Sequence, residues 1–489
     1  MSDQFDPSDV SSNEDSFVEE TQDIEAQKDQ YRSVPGLQPI YGDLLKHAIK
    51  QNKNAGIYFQ SKYYDKLKKD KTLIQRLYRV QRRKDVVKNT SSLLADYEKE
   101  LSDPNNVKNL RHAIQYLGKL RLRLDEESDP EIMENWFKVF KGKHLSKLNY
   151  LGLDPSSWAN LGIKERRFPL FRSKCSNLET LSILLRRLPG RNISIEDVTL
   201  KLIRGTRKLK NLAIDVVSCA FMGDEQLDVI ARALRSRLRT LESLEMWFAA
   251  LGRITAQGVA DLWKSLDKIP NLKKLELVGS YSRDDIGRES VIDDEAFIVL
   301  CDVLQRKATT LTTLQLELGC LNLHPDTHKY MSKALVDLLP RLQHLELRFN
   351  MRESISDESF PFLGDSFGNS SNSLKILTLY FRHCSNVTSK GAQEFAEKMK
   401  KGSFPTMETL KISFTSMPKL RFEGLYAIAE AVSEAFPNVK DLTFRSELAH
   451  SRYMDDNYEL NNNELQIKAE MMLKEKLKKL KKFRLDWND

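Results

Sequence analysis

A chain of 489 residues, 40% apolar and 30% charged, is long enough for about three ordinary domains or for one long repeat array. No stretch approaches the roughly 18 uncharged apolar residues of a membrane span. The acidic opening MSDQFDPSDVSSNEDSF has neither the apolar h-region of a secretion signal nor the Arg-rich character of a transit peptide. The expected address is cytoplasmic, cytoskeletal and nuclear sites included. The five cysteines (Cys175, Cys219, Cys301, Cys320 and Cys384) are odd in number and contain no CxxC pair, so they read as reduced thiols, mostly buried as small hydrophobes.

The formal charge of +8 is laid out unevenly. Residues 1–30 carry ten acids against Lys28, a net of −9, and residues 44–90 carry fourteen bases against three acids, a net of +11. Residues 1–34 therefore read as an acidic tail too poor in apolar residues to order itself. Residues 35–110 read as a basic helical extension, with Leu73, Leu77 and Val80 on one face and Lys68, Lys69, Arg76, Arg79, Arg82 and Arg83 among its cations. Three roles fit that extension: a cap over the first repeat, an anchor on an acidic protein surface, or a contact with nucleic acid or a membrane surface. Tyr58, Phe59, Tyr63, Tyr64 and Tyr78 lie among the bases and suit stacking on nucleotides, although no nucleic-acid-binding module is recognisable.

From residue 111 to 489 the sequence repeats itself. The triplet L-x-x-L-x-L begins at Leu117, Leu148, Leu178, Leu209, Leu241, Leu272, Leu311, Leu342, Leu374, Met407, Val439 and Leu480, at intervals of 30 to 41 residues. Between triplets the apolar period changes from two to 3.6, as a strand followed by a helix requires. In ITAQGVADLWKSLDKIPNLKKLEL, for example, Ile254, Val259, Leu262, Trp263 and Leu266 fall at helical spacing before Leu272, Leu275 and Leu277 take up the strand pattern. Asp224, Thr255, Asp293 and Ser389 are placed to cap their helices. No such unit can bury its apolar face alone, so the units stack into one continuous core with a parallel sheet on one side and helices on the other.

These triplets and the helices between them resemble the ribonuclease-inhibitor-like class of leucine-rich repeats, found also in Ran GTPase-activating proteins. The resemblance spans about three quarters of the chain and implies an α/β, right-handed βα solenoid curved like a horseshoe. It also implies regulation of a small GTPase through the rim as one possible role. The family's Asn or Cys three residues after the last triplet leucine is met by Asn350, whereas Val217, Ala249, Ser280, Gly319, Arg382, Thr415 and Glu447 stand there in other units. Two intervals run long. They carry GSYSRDDIGRESVIDD and RSELAHSRYMDDNYELNNNEL, read as rim loops. The final KAEMMLKEKLKKLKKFRLDWND reads as a C-terminal cap, with Trp487 shielding the end of the core.

Chemistry is not in evidence. The sequence holds no phosphate-binding glycine loop, no H-E-x-x-H and no G-x-S-x-G elbow. His324 and His328 bracket HPDTH without a third ligand at metal spacing, and Cys384 beside His383 is expected to point apart from it, as adjacent residues on a strand or turn do. The expectation is a non-enzymatic protein with no catalytic, metal or cofactor site.

Side chains alternate along a strand, so the residue between the last two triplet leucines and the one after them face away from the core. On the central units these are Glu245, Glu276 and Glu346, then Trp247, Glu317, Arg348 and Tyr380. An acidic centre with two aromatic residues suits a protein partner with a basic surface and disfavours nucleic acid there. The competing reading is the ordinary polarity of a sheet surface. The leading expectation is an interaction scaffold or adaptor in a larger intracellular assembly, with residues 44–90 as a second anchor. A regulator of a small GTPase and an RNA-associated protein are the alternatives.

Overall fold

The computed structural model describes residues 56–59, 117–123, 149–154, 177–184, 203, 206–217, 222–248, 253–279, 292–319, 323–350, 355–368, 373–447 and 456–488, all within the unit Ala55–Asp489. The acidic tail, the cations Lys68, Lys69, Arg76, Arg79, Arg82 and Arg83, and the first long insertion at 280–291 lie outside the described residues.

Each triplet leads into a strand. β1 (Gly56–Phe59), β2 (Leu117–Arg123), β3 (Tyr150–Asp154), β4 (Thr180–Leu184), β5 (Asn211–Asp215), β6 (Ser243–Trp247) and β7 (Lys274–Gly279) are followed by β8 (Thr313–Gly319), β9 (His344–Asn350), β10 (Ile376–Arg382), β11 (Thr409–Thr415), β12 (Asp441–Glu447) and β13 (Lys482–Asn488). All thirteen form one sheet in chain order. From β2 onward every neighbouring pair is parallel and in register, so each triplet position lines up with its counterpart in the next strand. β1 is antiparallel to β2. It falls inside the segment expected to be helical: Ile57, Tyr58 and Phe59 are β-branched or aromatic and favour a pleated edge over a helix turn.

Eight helices are described between the later strands: α1 (Asp224–Arg237), α2 (Ala256–Ser265), α3 (Asp294–Arg306), α4 (His328–Leu338), α5 (Phe360–Gly368), α6 (Ser389–Met399), α7 (Phe422–Ala435) and α8 (Asp456–Lys476). The result is a solenoid-like α/β repeat. Among the described residues no helix is long and apolar enough to cross a membrane. The helical set anticipated in α2 and its flanks (Ile254, Val259, Leu262, Trp263 and Leu266) is buried throughout. The triplet leucines from Leu178 to Phe444 meet such helix residues in a single apolar cluster. Cys301 and Cys384 are free and buried, with the Cys301 thiol pushed up by desolvation.

A fourth apolar row, unnoticed in the triplet pattern, sits two residues beyond the third leucine. It contains Val216, Phe248, Leu318, Phe349, Phe381 and Phe414, ending at Trp487. Phe349, Phe381 and Phe414 stack in series, with ring centroids 5.4 and 5.3 Å apart. Trp487 lies edge-on against Phe444 at 5.2 Å and Phe422 at 5.8 Å.

Neighbouring units are also clasped at the helix N-termini. Thr255 and Asp293 cap α2 and α3, accepting from the amides of Gly258 and Ala296. Asp224 and Ser389 do not cap: Gly223 and Thr388 occupy those places, one residue earlier. Asp224 instead reaches the next unit, where its carboxylate accepts from the Thr255 amide at 2.8 Å and hydroxyl at 2.7 Å. Asp357 does the same for Thr388, at 2.7 and 2.6 Å. A Cβ on Gly258 or Gly391 would lie 2.1 or 2.2 Å from the clasping carboxylate oxygen, so glycine is what leaves room for it. Replacing Asp357 with Ala is expected to cost about 1–3 kcal/mol through the orphaned Thr388 donors. At the matching clasp the close contacts of a Cβ on Gly258 are all with the Asp224 side chain, so Gly258→Ala should be clearly less damaging in the Asp224→Ala background than in the parent, and urea unfolding of the double-mutant cycle measures this. Additive effects would mean that the clasp does not set the space at Gly258.

Candidate functional site

The register carries the expected surface residues into two rows on the sheet face turned away from the triplet leucines. One row runs Glu245, Glu276, Gln315, Glu346, Thr378, Lys411 from β6 to β11. The other runs Trp247, Val278, Glu317, Arg348, Tyr380, Ser413 across the same strands. Adjacent members of a row are a strand spacing apart, about 4.8 Å. The structure thus brings together all seven residues read from the sequence.

It also adds a third row, two positions earlier, that the sequence reading left out. Lys274 and His344 stand in it. The signal was available, since alternation places the residue before the second leucine on the same face as the one after it. Lys274 Nζ donates to Glu245 Oε1 at 2.6 Å and lies 3.3 Å from Glu276 Oε2. Trp247 Nε1 donates to Glu276 Oε1 at 3.4 Å. Gln315 Nε2 donates to Glu346 Oε2 at 3.4 Å. Arg348 Nε donates to Glu346 Oε1, a guanidinium nitrogen lies 3.7 Å from Glu317 Oε2, and the guanidinium covers the Tyr380 ring at 4.8 Å.

The exposure of these residues differs from that of a simple polar surface. Glu245 and Glu276 are buried, at 4% and 5% exposure; Glu245 Oε2 has no hydrogen-bond partner, and Glu276 Oε2 has the Lys274 ammonium at 3.3 Å. Glu317, Glu346, Arg348, Trp247 and Tyr380 are half-buried. Desolvation raises the Glu245 and Glu317 carboxyls above their ordinary range, against the pull of Lys274 and Arg348. Glu276 is raised to about 7, by burial first, with Glu245 and Glu346 adding to it and Lys274 opposing. His344, buried 3.9 Å from Glu346, is lowered to about 4 by desolvation, which Glu346 only partly offsets. Four carboxyl groups in two adjacent, partly dehydrated rows thus face Lys274 and Arg348, with Glu276 partly protonated near neutral pH.

No group of three or more potential metal ligands occurs among the described residues. His324 is exposed, whereas His328 is buried edge-on against Phe297 at 6.2 Å, so the two histidines of HPDTH do not converge. His328 begins α4 and packs into the core. Cys384 is buried directly after the exposed, left-handed His383 (φ 56°).

Glu276 and His344 pull stability in opposite directions. A carboxyl whose pKa rises on folding contributes stability below its unfolded value of 4.5 that is lost as pH rises through about 7. A histidine whose pKa falls contributes stability above 6.5 that is lost as pH falls through about 4. Between 4.5 and 6.5 the two slopes oppose each other. Glu276→Gln should therefore make stability rise with pH relative to the parent in that window, and His344→Gln should make it fall, each by up to about 1 kcal/mol per unit. Urea midpoints across the window test both signs, and parallel profiles for parent and variants would refute the assignment.

Searches by sequence found no family model that matches the chain and no curated protein significantly similar to it.

Proposed function

We propose that the chain is a leucine-rich-repeat protein without catalytic activity, an intracellular scaffold or adaptor that recognises a protein with a basic surface on the central face of its sheet. The observation that carries the proposal is the surplus of carboxylate on β6 to β9, where Glu245, Glu276, Glu317 and Glu346 outnumber Lys274 and Arg348 and stand in register. Partial burial lowers the local dielectric and strengthens the field a basic partner meets. The roles divide by exposure. Glu245 and Glu276 set the potential from beneath, while Trp247, Glu317, Glu346, Arg348 and Tyr380 supply contact. The Arg348–Tyr380 stack and the tethered Trp247 indole are held before a partner arrives, which limits the ordering cost of binding.

The same acidity argues against a phosphate backbone on this face. Regulation of a small GTPase and RNA association through residues 44–90 gain no specific support from the geometry.

The test is affinity capture with tagged full-length chain, comparing the parent with a Glu317→Lys, Glu346→Lys, Trp247→Ala variant whose urea midpoint is checked in parallel. Proteins held by the parent should be lost by the variant, and a reconstituted pair should weaken at least about tenfold, an interfacial anchor being worth more than about 1 kcal/mol. Undiminished binding by a folded variant would sink the proposal.

A further inference from the structure

The rows of the sheet face change sign along the array. Carboxyl groups fill the stretch from β6 to β9, and two strands further on the same register positions carry Lys411, Ser413, Thr443 and Arg445. Lys411 stands opposite Thr443, and Ser413 opposite Arg445, on the adjacent parallel strands β11 and β12. The alternating Leu410, Ile412, Leu442 and Phe444 are buried, so the four polar side chains share the face turned away from the core. They form a patch one strand spacing wide, about 4.8 Å, with cations at two diagonal corners and hydroxyls at the others. Asp441 and Glu447 hold the positions on either side of it along β12.

These two cations differ from the others on the face. Lys274 has Glu245 and Glu276, Arg348 has Glu346 and Glu317, and Arg484 has Asp486. Arg382 and Lys482 are exposed to water. Lys411 and Arg445 are half-buried, and neither makes a hydrogen bond or ion pair with a described residue. Arg445 Nε is shut off from solvent with no acceptor. Burial holds the Lys411 ammonium below its ordinary range, Arg348 and Arg445 add to this, and Asp441 and Glu346 oppose it without forming an ion pair. A desolvated donor without an acceptor costs stability, and no described residue offsets that cost. From Glu346 on β9 to Lys411 on β11 is two strand spacings, about 10 Å, which about three extended residues cover. A nucleic acid spanning that distance would lay further phosphates over Glu317 and Glu346. A phosphate dianion would set its second charge against Asp441 and Glu346, whose fields already reach Lys411. A single carboxylate matches the patch.

We propose that Lys411 and Arg445 receive a carboxylate side chain from the same partner segment whose cations lie over β6 to β9, so that the face recognises a polypeptide with a basic stretch next to an acidic one. This rests on the acidic face being the seat of a basic partner, and it fixes which end of that partner lies over β11 and β12. The carboxylate accepts from Arg445 Nε and Lys411 Nζ, and the Ser413 and Thr443 hydroxyls stand beside it as further donors. A purely basic segment would satisfy only the β6 to β9 half. A bipolar segment laid the wrong way round would set like charges together on both halves, which is how such a face rejects it.

The experiment uses the full-length chain and fluorescein-labelled peptides of one length, read by fluorescence anisotropy at low salt. One joins a lysine–serine block to a glutamate–serine block, one has the same composition with the charges interleaved, and two are lysine–serine and glutamate–serine throughout. The two-block peptide should bind the parent at least about tenfold more tightly than the lysine–serine or the interleaved peptide, a difference of about 1.4 kcal/mol. Lys411→Met with Arg445→Met should remove that preference and leave the lysine–serine peptide bound no more weakly. Ser413→Asp, which puts a carboxylate inside the patch, should remove it as well without lowering the urea midpoint. A preference that survives in both variants, or equal binding of the two-block and lysine–serine peptides, overturns the proposal alone. So does a glutamate–serine peptide that binds as tightly as the two-block one, which would make the patch an anion site unconnected with the acidic half. If the lysine–serine peptide does not bind, or binds equally well after Glu317→Lys with Glu346→Lys, the acidic face itself fails and this inference falls with it.

Discussion

A strand of this protein finds its hydrogen-bond partners only in the units before and after it, and that constraint governs the rest of the structure. Because every pairing from β2 to β13 is parallel and in register, a residue type placed once per unit becomes a continuous row. The ladder extends past the strands: Lys210, Glu242, Lys273, Thr312 and Gln343 each donate a backbone N–H to the carbonyl of their counterpart one unit earlier. Apolar rows become the core, clasping residues become a seam along the helix N-termini, and charged rows become a patterned face. Among the described residues the sheet surface is therefore built of rows that run across the strands.

The central face shows what such repetition does to charge. Like charges one strand spacing apart repel, and three of four consecutive units put a glutamate at the same register position. Gln315 interrupts the run and donates to Glu346. Lys274 sits between Glu245 and Glu276, and Arg348 spans Glu346 and Glu317. These partners do not cancel the charge completely, and burial of Glu276 shifts part of the balance onto a proton. Breaking a buried pair by removing one partner costs far more than the pair itself contributes, so Lys274 is as much a part of the face as the acids it serves.

Much of this was legible in the sequence because periodicity is a one-dimensional signal that the register converts directly into space. The triplets mark the strands β2 to β13, and the polar positions within them name the residues that meet on the central face. What escaped had no periodic signature, or one cut short by attention to leucine. The fourth apolar row mixes Val216, Phe248, Leu318 and Phe349 in a pattern that no single residue type announces. The burial of Glu245 and Glu276 depends on neighbours in three dimensions, and no alternation distinguishes a half-buried glutamate from one at 4% exposure. The caps at Asp224 and Ser389 were misplaced by one residue because a short polar side chain at a helix start can serve its own helix or the next unit, and sequence spacing does not choose between them.

The clasp at the helix N-termini has a consequence for how this sequence can change over time. Asp224 and Gly258 are 34 positions apart, as are Asp357 and Gly391, and in each case the carboxylate fills the space that the glycine leaves empty. Neither member can be exchanged freely while the other stays, since a side chain at the glycine collides and a missing carboxylate strands the threonine between them. In Asp294 and His328, also 34 apart, the pairing has been recast: Asp294 accepts from the His324 amide and the Thr327 hydroxyl, and the imidazole is turned into the core. Each clasp therefore ties together two positions one unit apart, so that the side chain held at one limits what the other can accept.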